Sequence, residues 1–211
     1  MVTLSIAADV PDQGVIARAA DVLRRGGVVA YPTDTFYGLA VDPRRDDAVA
    51  RLYAAKGRDA SSAVPLIAAS LDQAQEAAIF GDRELQLART FWPGPLTIVM
   101  PPRGGIAASV LGGGTTVALR VPAHKVARAL AAAFGFCITA TSANRSGHPA
   151  AVTGADVATR LETTIDQVDV ILDAGAVAGG SPSTIVEIAA TGLRLVRAGA
   201  VPWDRVLESL K

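Results

Sequence analysis

The chain has 211 residues, half of them hydrophobic, a formal net charge of zero and one cysteine. That is enough apolar surface for a substantial core, and it excludes a disulfide framework and a cysteine-built zinc cluster. No segment is polybasic, which argues against tight nonspecific nucleic-acid binding, and no run approaches the roughly 18 apolar residues of a membrane span. With no cationic start leading into an apolar stretch over residues 1–12, the expectation is a soluble, cytoplasmic protein without membrane association, folded as a single domain over 1–211.

In chain order, Asp12 can cap a helix that runs to Arg25, with Val15, Ala19, Val22 and Leu23 on one face and Gly26-Gly27 closing it. The apolar run 28–31, stopped by Pro32, reads as a strand, and 37–41 extends the sheet after a Thr33-Asp34-Thr35 turn. A helix then starts at Asp46 or Asp47 and ends near Lys56. Strands follow at 64–68, 96–100, 116–121, 137–140, 168–173, 184–188 and 193–197, with helices at 71–78, 82–91, 123–134 and 202–210. Residues 101–114 and 174–182 are loops rich in small residues, and Gly112-Gly113-Gly114 reads as a flexible turn. Interleaved strands and helices make this an α/β chain, expected to form a twisted mixed sheet flanked by helices. Cys137 falls in a strand and is expected to be a buried, inert thiol.

The chemistry concentrates in a few places. Only three lysines, at 56, 125 and 211, stand against seventeen arginines. A lysine in Lys56-Gly57-Arg58 therefore suggests a compact ammonium for a phosphate beside a guanidinium that grips it bidentately. The competing reading is a solvated helix end, and in either case a solvent-facing cation contributes little to stability. Standard nucleotide signatures are absent: there is neither a Gly-x-x-x-x-Gly-Lys-Ser/Thr loop nor a Gly-x-Gly-x-x-Gly fingerprint. His124 and His148 lack metal spacing, so no protein-built metal site is expected. Thr33 and Thr35 lie just past a strand, where hydroxyls and amides can meet a ligand or merely satisfy a turn. Thr141-Ser142-Ala143-Asn144 repeats that arrangement after another strand. Arg120 ends an apolar strand and needs an anion, either a ligand or a structural ion-pair partner.

Six segments, in order, carry a resemblance. They are 27–39 (Gly-Val-Val-Ala-Tyr-Pro-Thr-Asp-Thr-Phe-Tyr-Gly-Leu), Lys56-Gly57-Arg58, 91–97 (Phe-Trp-Pro-Gly-Pro-Leu-Thr), Arg120-Val121-Pro122, 141–147 (Thr-Ser-Ala-Asn-Arg-Ser-Gly) and Ser183-Thr184-Ile185-Val186. Together they resemble the YrdC/Sua5 family of threonylcarbamoyl-AMP synthases over about 13–205, in the short single-domain form. The resemblance implies that L-threonine, bicarbonate and ATP, carried with Mg2+, become threonylcarbamoyl-AMP and pyrophosphate. The product would pass to a downstream tRNA threonylcarbamoyl transferase for t6A modification of tRNA adenosine 37.

By the same resemblance Thr35, Arg120 and Ser183 would hold threonine, and Lys56, Arg58, Thr116, Ser142, Asn144 and Arg197 would line the ATP site, with Lys56 and Arg58 catalytic. Three positions depart from the family pattern: Ala69 where a histidine is common, Ala150 where a serine is common, and Ala198 within the usual Arg-Pro-Gly. The rival readings are a double-stranded RNA-binding or ribosome-associated module, with weak RNA binding through a basic concave face, and a carbamoyl-adenylate-forming enzyme.

Overall fold

The Asp12 carboxylate accepts the Val15 N–H and starts α1 (Gln13–Arg24), which buries Ile16, Ala19, Ala20 and Leu23. Each large aliphatic chain removed from water in this way is worth about 1.5–3 kcal/mol. The computed structural model describes residues 1–58, 62–189 and 192–211. They form β1 (Val2–Ser5), β2 (Val29–Tyr31), β3 (Gly38–Ala40), α2 (Asp46–Lys56), β4 (Leu66–Ile67), α3 (Leu71–Ala77), α4 (Asp82–Phe91), β5 (Leu96–Met100), β6 (Val117–Arg120) and α5 (Lys125–Phe134). After these come β7 (Ile138–Thr139), β8 (Thr141–Ser142), α6 (Gly154–Arg160), β9 (Val170–Asp173), β10 (Thr184–Ala189), β11 (Gly192–Arg197) and α7 (Trp203–Glu208).

The α/β class, with mixed strand directions and flanking helices, is as expected, but two sheets stand in place of the one expected. The strands divide between two sheets, in the orders β1-β9-β2-β3-β8 and β11-β10-β5-β6-β4-β7. Both mix parallel and antiparallel neighbours: β2 runs parallel to β9 but antiparallel to β3, and β10 runs parallel to β5 but antiparallel to β11. One core fills the space around Leu39, Leu52, Leu66 and Ile98, and a second lies beneath α1 and α5 around Leu23, Tyr31 and Leu130. Cys137 is buried as expected, and burial pushes its thiol up to about 12, far from a reactive thiolate.

Three features differ from the sequence reading. β1 is mostly exposed and gains its order from parallel pairing with β9, a partner remote in sequence. α6 begins with a reciprocal cap in which Thr153 and Asp156 satisfy each other's backbone N–H groups. The expected 137–140 strand is two short strands, because the chain leaves one sheet after Thr139 and joins the other at Thr141.

Thr139 stitches the sheets at that crossing. Its hydroxyl accepts the Val41 N–H at 2.9 Å and donates to Leu39 O at 3.1 Å, while Tyr31 donates its hydroxyl to Thr139 O at 3.0 Å. Thr139 is fully buried. Thr139→Val should therefore cost about 1–3 kcal/mol, because a buried N–H and a buried carbonyl each lose a partner that the isosteric methyl cannot replace. Denaturant unfolding with an unchanged slope is the check, and a midpoint equal to wild type would refute it.

Candidate active site

The crossing opens onto a cleft of about 590 Å3. Its floor is a row across the six-stranded sheet. Ile67 pairs with Arg120, Thr97 with Ile185 and Ile185 with Arg197, and continuing the antiparallel β5–β6 register sets Thr97 beside Arg120. The facing wall comes from the other sheet, from the 33–38 turn and from Ser142, which β3 places through the Gly38–Ser142 pairing. Lys56, Arg58, Arg120 and Arg197 line the cleft, and among the described residues no carboxylate does. Such a surface selects anions.

Lys56-Gly57-Arg58 is the end of α2. Gly57 adopts φ +55° and donates its N–H to Ala54 O at 3.1 Å, while the Arg58 N–H reaches Tyr53 O at 3.1 Å. This closing turn needs a left-handed residue between the two cations, which explains the glycine. The expectation of two solvent-facing cations is corrected here. Lys56 is only 4% exposed, because its stem packs inward and its ammonium finds acceptors beneath the Ser-Ala-Asn loop. The ammonium donates to Ser142 O at 2.5 Å, Asn144 O at 2.9 Å and Asn144 Oδ1 at 3.4 Å. Burial, helped by the charge of Arg58, pushes its pKa down to about 8. Arg58 is half-buried, lines the cleft and has no side-chain hydrogen bond to a described residue.

Asn144 is equally committed. Its amide donates to Arg145 O at 2.8 Å and His148 O at 2.6 Å, so the side chain shapes the 144–148 turn from within. Ser142 lines the cleft half-buried, and no partner for its hydroxyl occurs among the described residues.

At the other end, Arg120 donates through Nη1 to Asp34 Oδ1 at 2.6 Å, both side chains being largely buried. The guanidinium also lines the cleft, so one edge is paired while other N–H groups remain available to a ligand. Thr35, 7% exposed, shares a 3.2 Å hydroxyl contact with Thr33, whose oxygen also caps the turn by accepting the Thr35 and Phe36 N–H groups. Arg197, exposed along its stem but partly buried at its head group, clamps Ser183 by donating to its carbonyl at 2.7 Å and its hydroxyl at 3.0 Å. Burial of its head group and the nearby charge of Arg120 lower the Arg197 pKa. Gly199 lies so close to this clamp that a Cβ there would fall 2.3 Å from Pro182 O. Thr116 does not join the others: it precedes β6, whose opposite end carries Arg120 into the cleft.

The Sua5_yciO_yrdC family model, described as telomere recombination, matches residues 21–199. The chain belongs to the Sua5/YciO/YrdC family. It is 36% identical over 189 residues to the threonylcarbamoyl-AMP synthase of Pyrococcus abyssi, covering 89% of this chain and 55% of that one. It is 41% identical over 176 residues to the threonylcarbamoyl-AMP synthase of Chromohalobacter salexigens, covering 82% and 92%. The crystal structure of P. abyssi Sua5 complexed with L-threonine superposes with a TM-score of 0.92 at 32% identity, covering all of this chain and 61% of that one. This family member thus spans little more than half of its archaeal relative and nearly all of the bacterial one.

Two residues of the site escaped the sequence reading. Asp34 lies inside the quoted 27–39 segment, and the need of Arg120 for a counter-anion was its only signal. Thr97, which donates to the Ser183 hydroxyl at 2.9 Å, closes the quoted 91–97 segment but was given no role, because only strand register brings it to the site. Of the three departures from the family pattern, Ala150 lines the cleft, Ala198 is exposed, and Ala69 donates its N–H to Gln73 Oε1 at 2.7 Å.

Proposed function

We propose that this chain is a threonylcarbamoyl-AMP synthase, converting L-threonine, bicarbonate and ATP to threonylcarbamoyl-AMP and pyrophosphate. The observation that carries the reading is one cleft lined by four cations and no described carboxylate, with a partly paired arginine at one end and Arg58 beside the Ser142 loop at the other. The relatives named for this activity support it.

In this reading Arg120 receives the threonine carboxylate, and Thr35 and Ser183 orient the amino acid. Arg58, Ser142 and the outer edge of Arg197 meet the nucleotide. The threonine amine and bicarbonate form a carbamate with loss of water, a carbamate oxygen attacks the α-phosphate, the bond from the α-phosphorus to the oxygen bridging to the β-phosphate breaks, and pyrophosphate leaves. Negative charge grows on that leaving group, where fixed cations stabilise the transition state more than the ground state. Magnesium would arrive on the ATP phosphates, since the cleft lining offers it no carboxylate. Lys56 holds the loop that forms the nucleotide wall and adds its charge from beneath. The domain is read as single over 1–211, and its product as the substrate of a tRNA-modifying transferase. Among the described residues no helix is long and apolar enough to cross a membrane, and a cytoplasmic setting fits the substrates.

Pyrophosphate release from ATP, with threonine and bicarbonate each omitted in turn, tests the reading. Release that depends on neither would refute it. A salt-dependent RNA titration without ATP addresses the RNA-binding alternative, which zero net charge does not favour.

Arg120→Ala should raise the threonine KM by about tenfold or more while changing ATP affinity less, since a charge-assisted hydrogen bond is worth about 1.5–3 kcal/mol. Arg120→Lys should restore only part of the loss, because a point charge lacks the planar fork. Equal losses of threonine and ATP affinity in a folded variant would count against this role.

A further inference from the structure

The two organic substrates of the proposed reaction differ sharply in charge: threonine presents one carboxylate, and ATP a polyphosphate. A cleft with four unmodified cations would attract the polyphosphate everywhere, the amino-acid end included. The four are not equivalent. Among the described residues, Arg120 alone of the cleft cations has an acidic partner, while Lys56, Arg58 and Arg197 have none.

That partner, Asp34, does not line the cleft. Its side chain is 14% exposed and that of Arg120 8%, so their 2.6 Å contact is little screened by water. The other carboxylate oxygen, Oδ2, is buried without a hydrogen-bond partner. Arg120 is thus the one described residue that Asp34 pairs with, from behind the cleft, while His124 feels the same charge without a hydrogen bond to it. The neighbouring residues Thr33 and Thr35 hold Asp34 there through the capped turn.

We propose that Asp34 is a positioning and specificity residue that cancels the net charge of Arg120 while fixing its free edge, reserving that end of the cleft for a monoanionic carboxylate and excluding phosphate. The inference rests on the threonylcarbamoyl-AMP synthase reading above. A paired guanidinium still offers directed N–H donors to a planar carboxylate, yet contributes little long-range attraction to a polyanion. Removing the carboxylate leaves the donors but turns the subsite into a general anion site.

The test uses wild type, Asp34→Asn and Asp34→Glu, with inorganic sulfate as the probe dianion in threonine- and bicarbonate-dependent pyrophosphate release. In wild type, sulfate should compete with ATP and not with threonine. Asp34→Asn, nearly isosteric but neutral, should raise the threonine KM about tenfold, the scale of one charge-assisted hydrogen bond, and make sulfate competitive with threonine. Asp34→Glu, which keeps the charge and changes the shape, should retain the wild-type inhibition pattern. A purely structural role predicts the reverse order, with the isosteric Asn milder than Glu.

Sulfate competing with threonine in an active wild type overturns the proposal alone, as does an Asn variant with wild-type behaviour or a Glu variant as impaired as Asn. A wild type with no threonine-dependent release overturns the functional reading and this proposal with it. Should the Asn variant not fold, the wild-type and Glu inhibition patterns still decide.

Discussion

Arg58→Ala should cut threonylcarbamoyl-adenylate formation by about 10²-fold or more, the scale of losing one preorganised stabiliser of developing charge. Its thermal midpoint should stay near wild type. The Arg58 side chain lines the cleft without a described hydrogen-bond partner, and its backbone N–H, which closes α2 on Tyr53 O, survives the substitution. Surface changes of this kind usually move stability by no more than about 0.5 kcal/mol. Pyrophosphate release and thermal unfolding on the same preparation are the measurements. Wild-type turnover in the Arg58→Ala protein would remove Arg58 from the chemistry.

Lys56→Met should lose at least as much activity, for a different reason and with a different signature. The ammonium is the donor that Ser142 O and Asn144 O share. Methionine fills the stem's space and leaves both carbonyls without it. Ser142 O keeps the Asn144 N–H at 3.0 Å, but Asn144 O is stranded at a cost of about 1–3 kcal/mol, offset in part because a charge no longer has to be buried, so a net destabilisation of about 1–2 kcal/mol is expected. The loop above this side chain should lose order, read as faster amide hydrogen exchange over 142–148. An active, fully protected variant would show that the ammonium does not hold the loop.

The same group sets a pH dependence. Its folded pKa of about 8 lies below the ordinary 10.5, so between those values the unfolded chain binds the proton more tightly than the folded one. Lys56 therefore adds stability as pH rises through that window, and activity lost above about pH 8 should come from an intact fold whose loop has lost its charged pin.

Much of the architecture was legible because strong local signals agreed with the tertiary outcome. Asp12 caps α1, Gly57 closes α2, and the apolar run at 96–100 is a strand. What escaped depended on distant partners. Nothing in Val2–Ser5 announces a strand until β9 pairs with it, and nothing in 137–142 says that the chain changes sheet at Ala140. The site was legible as a set of segments, since Thr35, Arg120, Ser142 and Arg197 stood at or just past the ends of apolar runs and Lys56 and Arg58 at the end of a helix. The division of labour within it was not. Whether a lysine at a helix end meets solvent or a carbonyl cage depends on a loop some ninety residues further on, and sequence spacing carries no information about that depth.

The change of sheet at Ala140 has a mechanical meaning. Thr35 and Ser142 ride on one sheet, and Arg120, Ser183 and Arg197 ride on or beside the other, so the width of the cleft is set across a seam instead of within a single rigid layer. A slip of the sheets by a fraction of a residue would shift the two walls of the cleft against each other while leaving each sheet's hydrogen bonds intact. The proposed activity would then be a property of the joint, and it should fail under mild denaturing stress before either half melts.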